Sequence, residues 1–290
     1  MIFQIKRVKF SDLTYNSFMR DFLLPEIPVI IEDTQCFDGA VLTPEYIKLH
    51  FEQENRREMG WFDADLVNDD VITIPHIVEK ILSAENMAVR SAPMRIFMQP
   101  KGHITLPHYD GNSLHGLNLQ VKGQKKWIIT SPHTPLPTMP FMFAALVKRD
   151  FFYDPKKYEY AEFTTSPGDM VFIPRYWTHE VHSQQDVNLN INWVFTPRKP
   201  NLKSPLGRRE VEIIRMRRDF PFVNKAFFPD KFNNYGGQGK ILIDAYAKDV
   251  GLINVVTRLI KELIKYPKLL MLANEMRSKA NDFSKNNFNV

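Results

Sequence analysis

The feature that most constrains the fold is a series of short, apolar, β-rich runs separated by turn residues. The predicted strands cover residues 94–99, 103–109, 114–121, 124–130, 170–174, 180–183 and 187–195. Lys122-Gly123 fits a hairpin turn, and Pro167-Gly168-Asp169 fits the turn before a later strand. Many short strands joined by turns are typical of a β-barrel or a two-sheet jelly roll. We therefore expect a mainly β core, with the proline-rich residues 131–166 as an irregular insertion.

Helical patterns flank this core on both sides. Helices are predicted over residues 11–23, 43–55 and 74–83, and a short apolar strand over residues 27–31. After Pro200 a helical period returns, with an apolar stripe formed by Leu252, Val255, Val256, Leu259, Ile260 and Leu263. We therefore divide the chain into a barrel domain over residues 1–200, including the N-terminal helices, and a C-terminal helical region over residues 201–290.

Composition and charge narrow the class of protein. Apolar residues make up 44% and charged residues 24% of the 290 positions, which is typical of a globular protein. The single cysteine, Cys36, excludes an intrachain disulfide, and neither a signal peptide nor a membrane-spanning run is visible, so we expect a cytoplasmic protein without membrane association. Residues 198–290 carry 19 Lys and Arg against 9 Asp and Glu. Because no nucleic-acid motif accompanies these scattered charges, we favour a solvated helical surface over nucleic-acid binding.

The triplet His108-Tyr109-Asp110 carries the clearest chemistry. Residues two apart on a strand point to the same face, so this imidazole and carboxylate can bind one ion, and Tyr109 should face away from it. Two histidines and one carboxylate on one face of an octahedral metal leave three positions open, which suits Fe(II) oxygen chemistry. The triplet therefore predicts a metal site that needs one more histidine.

The remaining histidines are the candidates for that ligand: His50, His76, His103, His115, His133, His179 and His182. His179 and His182 are three residues apart, so on a regular strand they face opposite ways and only one of them should bind the metal. His115 has two interpretations, as a polar residue lining the site or as a surface histidine of an edge strand.

Three ordered motifs resemble the Jumonji-C, cupin-like hydroxylases. They are Gly102-x-x-Thr105-x-x-His108-Tyr109-Asp110, Gln120-Val121-Lys122-Gly123-Gln124-Lys125-Lys126-Trp127 and Pro167-Gly168-Asp169-x-x-x-Ile173-Pro174-x-Tyr176-Trp177-x-His179. The likeness covers roughly residues 20–196 and is closest to the subgroup of the asparaginyl hydroxylase that acts on hypoxia-inducible factor. It implies a double-stranded β-helix of jelly-roll type and makes residues 1–200 a catalytic domain.

The resemblance also implies roles for individual residues. His108, Asp110 and His179 match the Fe(II) ligands, and Thr105 and Lys125 match positions that bind the distal carboxylate of 2-oxoglutarate. Asn192 and Asn118 match asparagines near the cosubstrate, although some members place the second one at the position of Gly116. A buried carboxylate needs a cation, which Lys125 can supply, and strand alternation allows only one of Lys125 and Lys126 to face inward.

The implied activity is an Fe(II)- and 2-oxoglutarate-dependent dioxygenase. With O2 it would hydroxylate a C–H bond of a protein or peptide side chain, or of an amino-acid-like substrate, and release succinate and CO2. Two alternatives stay open, an N-methyl demethylase using the same site and a non-catalytic cupin-type barrel that binds a metal or ligand. The resembled subgroup dimerises through C-terminal helices, so we expect a homodimer through the apolar stripe, against the alternative that the stripe covers its own barrel.

Overall fold

Strands dominate the part of the chain that the computed structural model describes, which comprises residues 3–51, 56–57, 61–64, 71–111, 113–134, 158–220, 250–265, 267, 271 and 278. The strands are β1 (Lys6–Lys9), β2 (Val29–Glu32), β3 (Arg56–Arg57), β4 (Trp61–Ala64), β5 (Met87–Pro100), β6 (Ile104–His108), β7 (His115–Lys122), β8 (Lys125–Thr130), β9 (Ala161–Thr165), β10 (Met170–Ile173), β11 (Thr178–Ser183) and β12 (Val187–Pro197). The helices are α1 (Tyr15–Phe18), which continues as a π-helical turn over Met19–Leu23, α2 (Pro44–Phe51), α3 (His76–Leu82), α4 (Pro205–Asp219) and α5 (residues 252–265).

The strands form two sheets. The large sheet has the order β1-β2-β10-β7-β12-β5-β4-β3, and the small sheet has the order β6-β11-β8-β9. Apart from the parallel pair β1 and β2, the strand pairs are antiparallel. Ile30 and Val171 of the large sheet pack with Trp127 and Val181 of the small sheet, so the two sheets face each other. The predicted double-stranded β-helix of jelly-roll type is confirmed.

Alternation along β7 and β12 separates two environments. Leu117, Leu119 and Ile191 point outward into a large apolar core that they share with Phe18 and Ile77 of the N-terminal helices. The intervening residues of the same strands point toward the small sheet. Most of them are polar, namely Asn118, Gln120, Asn188, Asn190 and Asn192. The N-terminal helices therefore cover one face of the large sheet, while its polar inner face is left for a site between the sheets.

The N-terminal helices follow the sequence predictions in place but not always in length. The helix predicted over residues 11–23 begins at Tyr15, because the side chain of Thr14 accepts a hydrogen bond from the backbone N–H of Ser17 as an N-cap. Thr43 caps α2 in the same way, accepting from the backbone N–H of Tyr46 at 3.2 Å. The predicted end of α2, at residues 52–55, lies outside the described residues.

The proline-rich stretch differs from the prediction. Residues 135–157 lie outside the described residues, but Ala161–Thr165 form strand β9, which pairs in antiparallel register with β8. The prediction of an irregular stretch through residue 166 is therefore wrong at its end. Among the described strands, β9 pairs with β8 alone, and its sequence AEFTT gives too short an alternation to stand out beside the prolines.

Helices α4 and α5 lie against each other through buried ion pairs. Two guanidinium nitrogens of Arg209, Nε and Nη2, donate to the carboxylate of Glu262 at 2.9 Å, and Arg258 Nε donates to Glu212 at 2.5 Å. Of the predicted apolar stripe, Val255 is buried. The exposed members are Leu252, Val256, Ile260 and Leu263. Within the described residues, the barrel therefore does not cover most of the stripe, and the division at residue 200 stays a prediction. None of the described helices is long and apolar enough to cross a membrane.

Candidate metal centre

Three side chains converge where β6 and β11 lie side by side. His108, the last residue of β6, lies directly opposite His179 of β11, and the centroids of the two rings are 4.4 Å apart. Asp110 follows two residues later, with Oδ1 3.9 Å from Nε2 of His108. The potential ligand atoms of the three residues all lie within 4.8 Å of one another. One metal ion can therefore contact all three.

Backbone carbonyls fix the orientation of both imidazoles. Nδ1 of His108 donates to the carbonyl oxygen of Leu106 at 2.7 Å, and Nδ1 of His179 donates to that of Trp177 at 3.0 Å. Because a carbonyl oxygen can only accept, each Nδ1 carries a proton, and Nε2 of each ring is the nitrogen that can bind a metal. Burial, with the neighbouring His108, lowers the pKa of His179, although Asp110 opposes the shift. Two imidazoles and one carboxylate are a donor set that fits Fe(II).

Two of the other candidate histidines, His182 and His115, lie elsewhere. His182 faces the opposite side of β11, where Nε2 contacts the buried carboxylate of Glu180 at 2.5 Å. His115 is buried between the rings of Phe172 and Phe195, and its Nδ1 accepts the backbone N–H of Arg175 at 3.2 Å. Both interpretations of His115, a residue lining the site and a surface histidine, are therefore wrong. It is a histidine of the apolar core, and burial lowers its pKa far below the usual value.

A β-bulge brings Thr105 to the same face as His108. The register of β6 and β11 pairs His108 with His179 but Thr105 with Val181, so three residues of β6 span two of β11. On a regular strand, Thr105 and His108 would point to opposite faces. The extra residue in β6 restores the shared face, and Thr105 lies opposite the inward-facing Val181.

Lys125 is a buried cation between the sheets. Its Nζ donates to Oε1 of Gln99 at 2.8 Å and lies 5.6 Å from the centroid of the Phe97 ring. Burial lowers the pKa of Lys125 to about 7. The adjacent Lys126 points to the other face and binds the exposed carboxylate of Glu162 at 2.7 Å. A buried ammonium whose bonded partner is a neutral amide fits the carboxylate of an acidic ligand.

Asn118 and Asn192 face each other across β7 and β12. They are directly opposite in register, and a Cβ at Gly116 would lie 3.2 Å from both Nδ2 of Asn118 and Oδ1 of Asn192. Oδ1 of Asn192 is buried and has no hydrogen-bond partner within the described residues. An unsatisfied buried amide is costly, so a polar ligand or water is expected beside it. Asparagine at position 116 would crowd this pair, which favours Asn118 as the second asparagine.

One residue of this region was missed by the sequence analysis. Gln99 lies inside the barrel with its Oε1 on Lys125, and only the alternation of Phe97 and Gln99 on the inner face with Met98 on the outer face hints at it. Thr105, Asn118, Lys125 and Asn192 all lie on inner faces, as the resemblance implies, but their roles toward a cosubstrate stay predictions. In the described part of the chain, His108, Asp110 and His179 are the group with metal-binding geometry.

Comparison with known proteins agrees with the jelly-roll fold. Residues 50–201 match the cupin-like domain family. The 2-oxoglutarate and iron-dependent oxygenase JMJD4 of Gallus gallus is 28% identical over 34% of this chain and 26% of its own length. HSPB1-associated protein 1 of Rattus norvegicus is 33% identical over 28% of this chain and 20% of its own, and the arginine-specific demethylase JMJ20 of Arabidopsis thaliana is 26% identical over 34% and 23%.

The matched part of this chain thus spans only about a fifth to a quarter of the length of these curated relatives. Two of the three carry names from iron- and 2-oxoglutarate-dependent or demethylating enzymes, which supports an oxygenase superfamily at low identity. The family match covers just over half of the sequence and coincides with the jelly roll and the His-Asp-His cluster. The chain belongs to the cupin-like domain family.

Proposed function

We propose that this protein is an Fe(II)- and 2-oxoglutarate-dependent oxygenase that hydroxylates a C–H bond of its substrate and releases succinate and CO2. The observation that carries the proposal is the cluster of His108, Asp110 and His179, in which backbone carbonyls leave both Nε2 atoms available to a metal. The similarity to JMJD4, named a 2-oxoglutarate and iron-dependent oxygenase, supports the same chemistry.

Different residues of the chain would bind the metal and the cosubstrate. Fe(II), when bound, would supply the oxygen chemistry, and three protein ligands on one face leave positions for cosubstrate and O2. Lys125 would hold the distal carboxylate of 2-oxoglutarate by a charge-assisted hydrogen bond, and Thr105 would add a neutral donor. Gln99 accepts a hydrogen bond from Nζ of Lys125. When the cosubstrate binds, Nζ would either donate to both Gln99 and the carboxylate or exchange Gln99 for the carboxylate. Asn192 and Asn118 would bind polar groups of the cosubstrate from the large sheet.

The substrate we propose is a protein or peptide side chain, with a free amino acid as the alternative. One relative is named an arginine-specific demethylase, so N-methyl demethylation is a second candidate activity at the same site. Both reactions begin by hydroxylating a C–H bond. They differ in product, because hydroxylation of an N-methyl group ends with loss of formaldehyde, whereas hydroxylation elsewhere leaves the oxygen on the substrate.

The first experiment asks whether the protein turns over at all. Purified protein with Fe(II), 2-oxoglutarate and O2 is expected to form succinate even without substrate, and the His179→Ala variant is expected to form none. Succinate formation in wild type that His179→Ala fully retains would contradict the proposed site. Metal binding without succinate in the presence of candidate peptides and amino acids would favour the non-catalytic alternative.

Mass spectrometry of the same candidate peptides and amino acids then separates the two activities. A gain of one oxygen supports hydroxylation. Loss of a methyl group together with formaldehyde supports demethylation.

The oligomeric state and cellular location are also proposals. We propose a homodimer in which the exposed apolar residues of α5 meet the same residues of a second copy, because the described part of the chain leaves them exposed. A cytoplasmic location stays a prediction.

A further inference from the structure

Helix α4 contacts both segments that carry the potential metal ligands. Glu210 is fully buried, and one of its carboxylate oxygens, Oε2, accepts both the backbone N–H and the hydroxyl of Ser113 at 2.9 Å. Ser113 lies three residues after Asp110. Because the Ser113 hydroxyl donates to Glu210, its oxygen is left to accept the hydroxyl of Tyr176, with which it forms a short hydrogen bond. Tyr176 lies three residues before His179. The chain of hydrogen bonds from Tyr176 through Ser113 ends on Glu210.

The two residues that this chain joins have an unfavourable backbone conformation. Ser113 has a φ of 55° and Tyr176 a φ of 68°, in the left-handed region that non-glycine residues rarely adopt. Such residues persist only where the surrounding structure fixes them, and they cluster at functional sites. Here the fixing contact is the buried carboxylate of Glu210, which comes from outside the barrel.

A parallel contact holds the residue between two of the ligands. Tyr109 is fully buried, and its ring lies 5.9 Å from that of Tyr176 in an edge-to-face arrangement. Its hydroxyl accepts a hydrogen bond from Nη1 of Arg209, the neighbour of Glu210, at 3.4 Å. Arg209 is in turn fixed by the carboxylate of Glu262 on α5. Consecutive residues of α4 therefore hold the segment of His108 and Asp110 and the segment before His179.

We propose that Glu210 is a positioning residue for the metal centre: through Ser113 and Tyr176 it sets the separation of Asp110 and His179. The C-terminal helical region is then part of the metal site, although it supplies no ligand. This inference rests on the metal site proposed above. It differs from a role in folding alone, because it expects metal affinity to fall in protein that is still folded.

The test uses Co(II) as the metal probe with the whole 290-residue chain, freed of metal. In Glu210→Met, which keeps the length of the side chain but removes its acceptors, the dissociation constant of Co(II) should rise about tenfold or more, as for other residues that orient metal ligands. The visible absorption band of the bound Co(II) should also change, because the ligand geometry relaxes. Glu210→Gln keeps one acceptor oxygen for Ser113 and should restore most of the affinity.

The matched control is Glu212→Met on the same helix. Glu212 is also largely buried and ion-paired, but it contacts Arg258 of α5, and no contact to a ligand-bearing segment is described for it. This variant should bind Co(II) like wild type, with an unchanged spectrum, even if its unfolding temperature falls. If Glu210→Met does not fold, Tyr176→Phe decides in its place, since it removes one hydroxyl of the chain and should weaken Co(II) binding several-fold.

The outcomes separate this inference from the proposed function. If wild type binds no Co(II), the metal site itself fails. If wild type binds Co(II) and Glu210→Met, or Tyr176→Phe in its place, binds it equally well, only the positioning role is overturned. Equal weakening in Glu210→Met and Glu212→Met would also overturn it, because the effect would then be one of general helix packing.

Discussion

Lys125 shows most directly how a single residue limits what the barrel can bind. Its ammonium is buried between the sheets, where its hydrogen bond to Gln99 only partly replaces the water it has lost. The folded protein therefore bears the free-energy cost of burying the Lys125 ammonium before any ligand binds. The barrel in this way holds a site that favours a negatively charged group. We expect the carboxylate of a ligand to recover that cost on binding.

The first prediction concerns the affinity for 2-oxoglutarate. Lys125→Met should raise its dissociation constant by roughly 30-fold or more, because losing one partner of a buried charge pair costs about 2–5 kcal/mol and each 1.4 kcal/mol is tenfold. Metal affinity should change little. Calorimetric titration of the Mn(II)-loaded protein without O2 measures both. Lys126→Met, which removes only the surface pair with Glu162, is the control and should bind 2-oxoglutarate normally.

The second prediction concerns pH and stability. The pKa of Lys125 is about 7 in the folded protein because of burial, against an ordinary value of 10.5. Below pH 7 the lysine is protonated in both states, and the folded state bears the full cost of the buried charge. Between pH 7 and 10.5 the unfolded chain binds more protons, so the contribution of this residue to stability rises with pH.

Urea unfolding of the metal-free protein at pH 6.5 and 9.5 tests this sign. The stability of Lys125→Met minus that of wild type should shrink by about 2–3 kcal/mol between the two pH values, since one pKa unit corresponds to about 1.4 kcal/mol. Taking the difference removes the contributions of the other titrating groups. An equal difference at both pH values would mean that Lys125 keeps an ordinary pKa.

The third prediction separates His179 from His182. His179→Ala removes a potential ligand from the cluster of His108, Asp110 and His179, so the dissociation constant of Fe(II) or Co(II) should rise by roughly 100-fold or more, and succinate formation should stop. His182→Ala removes a side chain on the opposite face of β11, which contacts Glu180 instead. It should retain metal binding and turnover. The reverse result would place the third ligand at residue 182.

At the scale of elements, the turn between β7 and β8 fixes the register that points Lys125 inward. Gly123 in that turn has a φ of 74°, and a Cβ there would lie 2.2 Å from the carbonyl oxygen of Val187 and 2.8 Å from Oδ1 of Asn188. The sequence predicts the turn, since Lys122-Gly123 separates two apolar runs. Only the structure shows that glycine is required there for space as well as for conformation.

The fourth prediction compares two glycines with similar backbone angles. Gly123→Ala adds a clash with the backbone of β12 to the strain of a positive φ, so it should lower the free energy of unfolding by at least about 2 kcal/mol. Gly168 has a φ of 92°, but a Cβ added there would meet nothing within 4 Å, so Gly168→Ala should cost only about 1 kcal/mol. Urea unfolding measures both, and equal losses would show that the space around Gly123 is not limiting.

The sequence predicts those strands that are marked by their own turn residues and alternation. It does not predict features that depend on pairing with a strand distant in the sequence. The turn residues and alternation around Lys122-Gly123 and Pro167-Gly168-Asp169 are enough to predict β7, β8 and β10. The bulge in β6 is set by pairing with β11, so the shared face of Thr105 and His108 follows from strand alternation only once that bulge is known. Strand β9 is missed because its pairing with β8, rather than a pattern in its own sequence, makes it a strand.

The position of His115 could not be predicted for a related reason. It is the first residue of β7, and its neighbours are Phe172 and Phe195 of two other strands. A histidine packed between two phenylalanine rings is a core residue. The residues near His115 in the sequence do not indicate that these two rings will pack against it. Glu210 is a similar case, since its contact with Ser113 joins residues 97 positions apart.

At the scale of the whole molecule, the C-terminal helices have two distinct sides. On one side, buried charged residues join the helices to each other and to the barrel: Glu262 of α5 binds Arg209 of α4, and Arg209 and Glu210 bind Tyr109 and Ser113. The other side of α5 is apolar and exposed, with Ile253 81% and Ile264 75% accessible to solvent. Because apolar residues of a helix are normally buried, we expect a second molecule to cover this side. A second copy would do so with the same patch on both subunits.

The last prediction tests this assembly. Light scattering at micromolar concentration should give twice the chain mass of 34.0 kDa for wild type. Ile260→Asp with Leu263→Asp places two charges in the exposed apolar side, which should give the monomer mass without loss of metal binding, because neither residue belongs to the network around Glu210. Asn254→Asp, at an exposed polar position of the same helix but off the face of Ile260 and Leu263, is the matched control and should remain dimeric. A mass near 34.0 kDa for wild type and for both variants would rule out the dimer and leave the apolar side of α5 without a partner copy.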